Sequence, residues 1–188
     1  MKNDQELIET KVASRSVYEG KVLNLCVDDI ALPDGRPAIR EYAKQVNAVA
    51  VLPLTDEGDV LCVRQYRYAL GKVLLEIPAG KLDSTTEDPE IGARRELREE
   101  TGAECEELIP LGGFIGSPAI LTEVVHLYLA RGLSFHEPDP DDDEFLDVCK
   151  IPLSALVDLV LADEIEDGKT QVAILKAAEL LRREKETK

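Results

Sequence analysis

Apolar runs separated by turn residues fill the first two thirds of the chain and predict β-strands. The strongest run, AVAVLPL at 48–54, is apolar throughout, as in a strand that is covered on both faces of its sheet. A turn at 55–58 leads into DVLCVRQY at 59–66, so these two runs predict a β-hairpin. Further strands are expected at 73–77, 106–115, 123–130 and 145–151.

Residues 1–45 predict a small antiparallel sheet of their own. Strand-like runs before residue 33 are followed by a Pro-Asp-Gly turn signal at 33–35 and by a returning strand at 38–42. The apolar content of this segment is thin for a unit that folds alone, which points to packing against a partner subunit or the main domain. We therefore expect an N-terminal β segment at 1–45, followed by a main domain at 46–188.

Helical signals occur at three places in the chain. A short helix is predicted between Asp88, which suits the N-cap, and Gly102, which suits the left-handed residue after the last turn. Pro89 fits the first helical position. Apolar residues also recur with helical spacing at 153–161 and 172–181, which predicts two helices near the C-terminus.

The first of these helices is mostly charged. Nine of the fourteen residues at 87–100 are charged, so the helix is either a solvated connector or a device that presents charge. Glu96, Glu99 and Glu100 have i, i+3 and i+4 spacing, which places their carboxylates on one face. Such an oxygen-rich cluster suits Mg²⁺ or Mn²⁺. The alternative is a solvated helix with local ion pairs, such as Arg95 to Glu99.

The residues just before this helix predict further groups beside it. The strand at 73–77 is followed by a Pro-Ala-Gly turn at 78–80, which brings backbone carbonyls close to the helix. Arg64 and Arg67 lie at the end of the preceding strand. Arginines at strand ends are usually surface residues, but near an acidic metal cluster their planar guanidinium groups also suit a diphosphate.

Composition narrows the classes of function. The formal net charge of −16 disfavours binding to nucleic acid, although a small phosphate substrate could bind where a metal and arginines reverse the local field. We expect no membrane span and no secretion signal, since no run of 18 apolar residues and no signal segment is present. The four cysteines are widely spaced and predict buried thiols in a cytoplasmic protein rather than a disulfide framework.

The spacing at 80–103 resembles the signature of the Nudix hydrolases, which is a glycine, a glutamate and then R-E-U-x-E-E-x-G-U with U apolar. The matching residues are Gly80, Glu87, Arg95, Glu96, Leu97, Glu99, Glu100, Gly102 and Ala103. Six residues separate Gly80 from Glu87 instead of the usual five. This implies a slightly longer loop before the helix. The spacing of the carboxylates on the helix still matches the signature.

Residues 40–181 also resemble the ADP-ribose pyrophosphatase branch of this family. The shared features are the AVAVLPL strand, the RQYR segment, EIPAGKLD, Ser117-Pro118, Glu123, DDDEF and the DGKT sequence that opens the last helix. Ala119 replaces the glycine that is usual in the branch, which bears on the shape of the substrate loop rather than on the chemistry.

The resemblance implies an α+β fold, namely an α/β/α sandwich with a mixed β-sheet beside the small N-terminal antiparallel sheet, dimerised through the N-terminal segment. It implies metal-dependent hydrolysis of ADP-ribose to AMP and ribose 5-phosphate, with Mg²⁺ or Mn²⁺ as the ion. The implied metal ligands are Glu96, Glu99, Glu100 and the Ala79 carbonyl, with Glu99 and Glu100 also counted as catalytic. The implied substrate-binding residues are Arg64, Arg67, Glu76, Ser117 and Glu123.

The general base is expected in the acidic sequence PDPDDDE at 138–144. By resemblance it is Asp142, two residues before Glu144, but an aspartate is one methylene shorter than the glutamate usual there. Asp142 and Glu144 are therefore equal candidates. A third possibility is that these acids are only a solvated loop that closes over the substrate.

Three alternatives to ADP-ribose hydrolysis remain open at this stage. The first is a Nudix hydrolase acting on another nucleoside diphosphate derivative, such as a nucleotide sugar or a dinucleoside polyphosphate. The second is a non-catalytic nucleotide-sensing module, which the presence of Glu96, Glu99 and Glu100 disfavours. The third is a structural protein in which the acidic helix is merely solvated. Phosphate release with and without Mg²⁺ would separate these classes.

Overall fold

The computed structural model describes residues 1, 3–137 and 145–187. By their internal contacts, the residues form two compact units. The first consists of residues 1–46 and 117–123, and the second consists of residues 47–116 and 124–188. Within the described residues, no helix combines the length and the apolar character needed to cross a membrane.

The first unit contains a three-stranded antiparallel sheet of order β1-β2-β3. Its strands are β1 (Thr10–Glu19), β2 (Asn24–Ala31) and β3 (Pro37–Lys44). The expected turn lies between the last two strands, where the amide of Gly35 donates to the Leu32 carbonyl and Gly35 has a φ of 85°. Every residue of β1 is exposed, so this edge strand buries little of its apolar surface within the unit.

The second unit contains a mixed four-stranded sheet of order β7-β4-β9-β8. Its strands are β4 (Ala48–Pro53), β7 (Ala79–Lys81), β8 (Ala103–Phe114) and β9 (Val125–Phe135). The strands β4 and β9 are parallel, whereas the other two pairs are antiparallel. All six residues of β4 are buried, as its uninterrupted apolar sequence predicts.

A second sheet in this unit is antiparallel and has the order β10-β5-β6. It comprises β5 (Asp59–Arg67), β6 (Lys72–Glu76) and β10 (Leu146–Pro152). The predicted hairpin between 48–54 and 59–66 is therefore wrong, because β4 and β5 lie in different sheets and share only an isolated bridge from Leu54 to Val60. Both edges of β4 are already paired, with β7 and β9, so no edge remains for β5.

The described residues of the second unit also form three α-helices, namely α1 (Pro89–Thr101), α2 (Leu153–Leu161) and α3 (Gly168–Glu186). The second and third helices contribute Leu156 and Ile174 to a core that also contains Leu52 and Leu129 from the mixed sheet. The expected α+β class, with a mixed sheet and a small N-terminal antiparallel sheet, is confirmed.

Candidate active site

The helix α1 has the bounds that its capping residues predict. The side chain of Asp88 accepts a hydrogen bond from the Glu90 amide at 2.9 Å, and Pro89 is the first helical residue. Gly102 adopts a left-handed conformation with a φ of 68°, and its amide donates to the Arg98 carbonyl at 2.8 Å. The caps thus fix both ends of the helix, and with them the positions of its glutamates.

The buried face of α1 carries two carboxylates beside its apolar residues. Ala93 and Leu97 are fully buried, and Glu96 and Glu100 are buried with them. The side chain of Glu99 is 37% exposed. The three predicted ligands therefore have different surroundings, because two of them face the protein interior and one borders solvent.

The strand β7 lies directly against these acids. The amide of Ala79 donates to Oε2 of Glu100 at 3.1 Å. A Cβ atom at Gly80 would lie 2.2 Å from the Glu96 carboxylate, far inside van der Waals contact. Only a glycine therefore allows this close approach. The strand is held in place by β4, where the Val51 amide donates to the Pro78 carbonyl at 2.9 Å.

Arg95 lies among the acids of the helix and the preceding loop. Its Nη1 contacts Glu96 at 2.6 Å and Glu99 at 3.1 Å, and its Nη2 donates to the Lys81 carbonyl at 3.0 Å. Its Nε is buried without a hydrogen-bond partner among the described residues and lies 3.7 Å from Oε1 of Glu87. Burial lowers the pKa of Arg95, but the bonds to Glu96 and Glu99 outweigh it, so that pKa is raised.

This donor set fits a hard divalent cation. Glu96, Glu99 and Glu100 offer carboxylate oxygens on one helix face, and hard cations prefer such oxygen ligands. The described residues contain no group of three His, Cys, Asp or Glu side chains already arranged around a metal position. Instead the Arg95 guanidinium lies against two of the acids, which shows that this cluster attracts positive charge.

A second charged cluster lies at the ends of β5 and β6. Nε and Nη2 of Arg67 donate to the two carboxylate oxygens of Glu76, each at 2.7 Å. Lys169, the second residue of α3, donates to Oε2 of the same carboxylate and lies 3.0 Å from Asp167. The Glu76 side chain is only 2% exposed, whereas that of Arg67 is 41% exposed.

The ion pairs shift the pKa values of this cluster. The hydrogen bonds to Glu76 raise the pKa of Arg67, and the nearby charges of Asp167 and Glu100 act in the same direction. Burial raises the pKa of Glu76, but the hydrogen bonds from Arg67 and the charge of Lys169 outweigh it, so that pKa lies below its ordinary value. Glu76 is therefore ionised at neutral pH despite its burial.

The remaining predicted residues of the substrate site are distributed over both units. Arg64 pairs with Asp147 on β10 at 3.0 Å, and both side chains are exposed. Ser117 and Glu123 belong to the first unit. The binding roles of these residues remain predictions. Asp142 and Glu144, the candidates for the general base, lie outside the described residues.

Lys169, Asp167 and Thr170 were not predicted as site residues. The sequence held one signal for them, the DGKT sequence at the start of the last helix. Glu76, the partner of Lys169, lies 93 positions before it, and no local pattern reveals such a long-range contact. Helix periodicity did not help either, because these residues form the cap of α3 rather than its apolar face.

Comparison with known proteins identifies the family. Residues 44–172 match the NUDIX domain, and residues 9–43 match the nucleoside diphosphate sugar hydrolase N-terminal domain. The chain is 42% identical over 172 residues to the ADP-ribose pyrophosphatase of Bacillus subtilis, covering 90% of this chain and 92% of that protein. It is 41% identical over 168 residues to the methanol dehydrogenase activator of Bacillus methanolicus, covering 88% of this chain and 90% of that protein.

The fold comparison agrees with the sequence comparison. A crystal structure of an ADP compounds hydrolase superimposes with a TM-score of 0.82 at 20% identity, covering 94% of this chain and 95% of that one. The α1 carboxylates and the glycine at β7 described above occupy the matched domain. The domain match and the close relatives together show that this chain belongs to the Nudix family.

Proposed function

We propose that this protein is a Nudix pyrophosphohydrolase that cleaves ADP-ribose to AMP and ribose 5-phosphate. Water attacks one phosphorus of the diphosphate and loses a proton, the bond from that phosphorus to the bridging oxygen breaks, and the bridging oxygen stays with the other phosphate, so that both products are phosphate monoesters. The observation that carries the proposal is the pair of buried acids, Glu96 and Glu100, held against Ala79 and Gly80. The choice of substrate is supported by the identity to the Bacillus subtilis ADP-ribose pyrophosphatase over nearly the whole chain.

Divalent cations complete the proposed site. Glu96, Glu99 and Glu100, with the Ala79 carbonyl, would hold Mg²⁺, or alternatively Mn²⁺. When bound, such ions neutralise diphosphate oxygens and lower the pKa of the attacking water. The Ala79 amide keeps Glu100 oriented by its hydrogen bond, and the absence of a side chain at Gly80 leaves room for the Glu96 carboxylate.

Arg67 and the acids before β10 have separate tasks in this proposal. Arg67 binds a phosphate oxygen of the substrate, since its half-exposed guanidinium is fixed on one edge by Glu76. Either Asp142 or Glu144 takes the proton from the attacking water. Arg64 is proposed as a further diphosphate contact.

Residues that bind the rest of the substrate are proposed from the family likeness. Glu76, Ser117 and Glu123 would shape the sugar or base pocket. In the structure Glu76 is almost completely buried and pairs with Arg67 and Lys169, so its influence on that pocket would pass through these cations.

A substrate panel tests the proposal. We expect the purified protein to release AMP and ribose 5-phosphate from ADP-ribose with Mg²⁺, and chelation to abolish the reaction. We also expect kcat/KM for ADP-ribose to exceed that for nucleotide sugars and dinucleoside polyphosphates. Absence of turnover with every substrate and with both Mg²⁺ and Mn²⁺ would support a non-catalytic nucleotide-sensing module instead.

A nucleotide sugar is the second candidate substrate. Residues 9–43 match a domain described for nucleoside diphosphate sugar hydrolases, which favours this class over dinucleoside polyphosphates. The α1 acids and Arg67 would serve both substrates, because these residues address the diphosphate and the metal. The substrate panel distinguishes the two candidates by their kcat/KM values.

We also propose a cytoplasmic homodimer without nucleic-acid or membrane partners. All four cysteines are free thiols, as suits a reducing compartment. The net charge of −16 opposes nucleic-acid binding. The dimer is proposed to form through the β segment at 1–45, with the domain at 46–188 carrying the chemistry.

A further inference from the structure

We propose that Lys169 is a positioning residue for Arg67 in diphosphate binding. It acts through Glu76, which contacts both cations, rather than by contact with the substrate. This inference rests on the proposed function, in which Arg67 binds a substrate phosphate.

The burial of Lys169 indicates an internal role. Its side chain is only 13% exposed, although lysine side chains usually reach water. Its ammonium group contacts the Glu76 and Asp167 carboxylates. A largely covered lysine that is paired in this way contributes its charge to the cluster rather than to the protein surface.

The charges of the cluster balance only when Lys169 is present. Arg67 and Lys169 carry two positive charges, and Glu76 and Asp167 carry two negative charges. Without Lys169, two carboxylates would face a single guanidinium. Glu76 would then lose one of its two cationic partners, so its carboxylate would no longer be held from both sides and would hold Arg67 less firmly.

The start of α3 is tied to the strand that carries Glu76. The side chain of Asp167 caps the helix by accepting from the Thr170 amide at 2.9 Å. The Thr170 hydroxyl oxygen in turn accepts from the Ile77 amide at 3.0 Å, in a fully buried contact. Lys169 therefore has a fixed backbone position relative to Glu76.

Arg67 keeps donors available for a ligand. Glu76 engages its Nε and Nη2, whereas Nη1 donates to no side chain in the described part of the protein. The two contacts with Glu76 fix the plane of the guanidinium, so the remaining donors have a defined direction. A phosphate oxygen is a suitable acceptor for them.

Kinetics of Lys169→Met and Lys169→Arg provide the first test. We expect Lys169→Met to raise KM for ADP-ribose about tenfold while kcat changes less than about threefold, because the phosphate contact serves the ground state and the transition state alike. Lys169→Arg keeps the charge and should return KM to within about threefold of the wild type. Lys176→Met is the matched control, since Lys176 lies on the same helix and donates to the Leu111 carbonyl.

A double-mutant cycle shows whether Lys169 acts through Arg67. In an Arg67→Met background, adding Lys169→Met should change KM by less than about twofold. If KM of the double variant instead rises by the product of the two single-variant factors, Lys169 contacts the substrate itself. That result would overturn the inference. Unchanged KM in Lys169→Met would overturn it as well. If Lys169→Met does not fold, Lys169→Gln takes its place, because it removes the charge but keeps a donor for Glu76.

Hydrogen exchange of the arginine Nε–H groups in substrate-free protein, followed by NMR, tests the positioning independently of turnover. The Arg67 signal is assigned by its loss in Arg67→Met. We expect it to exchange at least about tenfold faster in Lys169→Met than in the wild type or Lys176→Met, because its bond to Glu76 opens more often. Equal exchange rates would overturn the inference. A wild type that lacks ADP-ribose turnover would contradict the proposed function, and the exchange rates would still decide this inference.

Discussion

Arg67 and Glu76 form a side-on ion pair in which Nε and Nη2 of the guanidinium donate to different carboxylate oxygens, each at 2.7 Å. The pair joins the last residues of β5 and β6. It also places a buried negative charge beside a half-exposed positive one. Removing the pair should therefore lower the free energy of unfolding, and the size of this change should depend on pH.

Glu76→Gln should lower the free energy of unfolding at neutral pH by about 3 kcal/mol, because it removes the carboxylate that compensates two cations. Denaturant unfolding measures this change. Glu104→Gln is the control, since Glu104 is an exposed residue that pairs with Arg98. That substitution should cost less than about 1 kcal/mol.

Glu76→Gln should also change how the free energy of unfolding depends on pH in the acidic range. The pKa of Glu76 is lowered in the folded protein, so the unfolded chain binds the proton first as the pH falls. The contribution of Glu76 is therefore complete above its ordinary pKa of 4.5 and is lost as the pH falls through the lower folded value. The stability difference between wild type and Glu76→Gln should shrink below about pH 4.5. A stability difference between the two proteins that stays constant with pH would contradict the lowered pKa of Glu76.

Glu96→Gln and Glu100→Gln should each reduce kcat by about 10²–10⁴-fold while the protein folds normally. Each change replaces a charged oxygen ligand with an amide of similar size. In Glu100→Gln the amide oxygen can still accept from the Ala79 amide, so the loop geometry is preserved. Glu99→Gln should have a smaller effect, since this side chain is partly exposed. Circular dichroism checks the fold, and near wild-type rates in all three variants would exclude α1 as the metal site.

Gly80→Ala should reduce kcat about 10²-fold, because a small displacement of a site residue has an effect of this size. The added Cβ would lie 2.2 Å from the Glu96 carboxylate, so this side chain must move. Gly113→Ala is the matched control on β8, where the new Cβ would lie 3.1 Å from Val124. Equal kcat values in the two variants would show that the Glu96 position does not matter for catalysis.

The sequence predicted α1 well because its signals are local. Asp88, Pro89 and Gly102 each satisfy a backbone requirement at one end of the helix, and such requirements do not depend on the rest of the fold. The spacing of the glutamates then follows from the helical repeat. Two of these acids are buried at the strand β7, and the Pro-Ala-Gly turn at 78–80 rather than the apolar pattern predicted that the backbone there lies close to the helix.

Strand partners could not be predicted in the same way. Apolar runs indicate that β4 and β5 are strands, but they carry no information on which edge each strand uses. The short turn between them favoured a hairpin, whereas β4 pairs with β7 and β9, which are distant in sequence. The cluster around Glu76 was missed for the same reason, since Lys169 comes from the last helix.

Val12→Asp should weaken the proposed homodimer. Val12 is 70% exposed on β1, and a buried aspartate without a partner opposes association. Sedimentation at micromolar concentration should show a dimer for the wild type and a larger monomer fraction for the variant. Leu161→Asp is the control, because Leu161 is similarly exposed at the end of α2 in the other unit. A wild type that is monomeric and fully active would contradict the proposal.

The general base is the final question, and pH–rate profiles of Asp142→Asn and Glu144→Gln address it. The base must be ionised to accept the proton from water, so kcat falls as the pH drops through its pKa. Removing the base should abolish this acidic limb and lower kcat by about 10²-fold or more, with little change in KM. Asp141→Asn is the matched control within the same run of acids. If only one of the two variants behaves in this way, that residue is the base. If both keep the wild-type profile, the proton passes to a residue of the signature at 80–103, and Glu99, whose side chain is the most exposed of the three helical acids, becomes the first candidate.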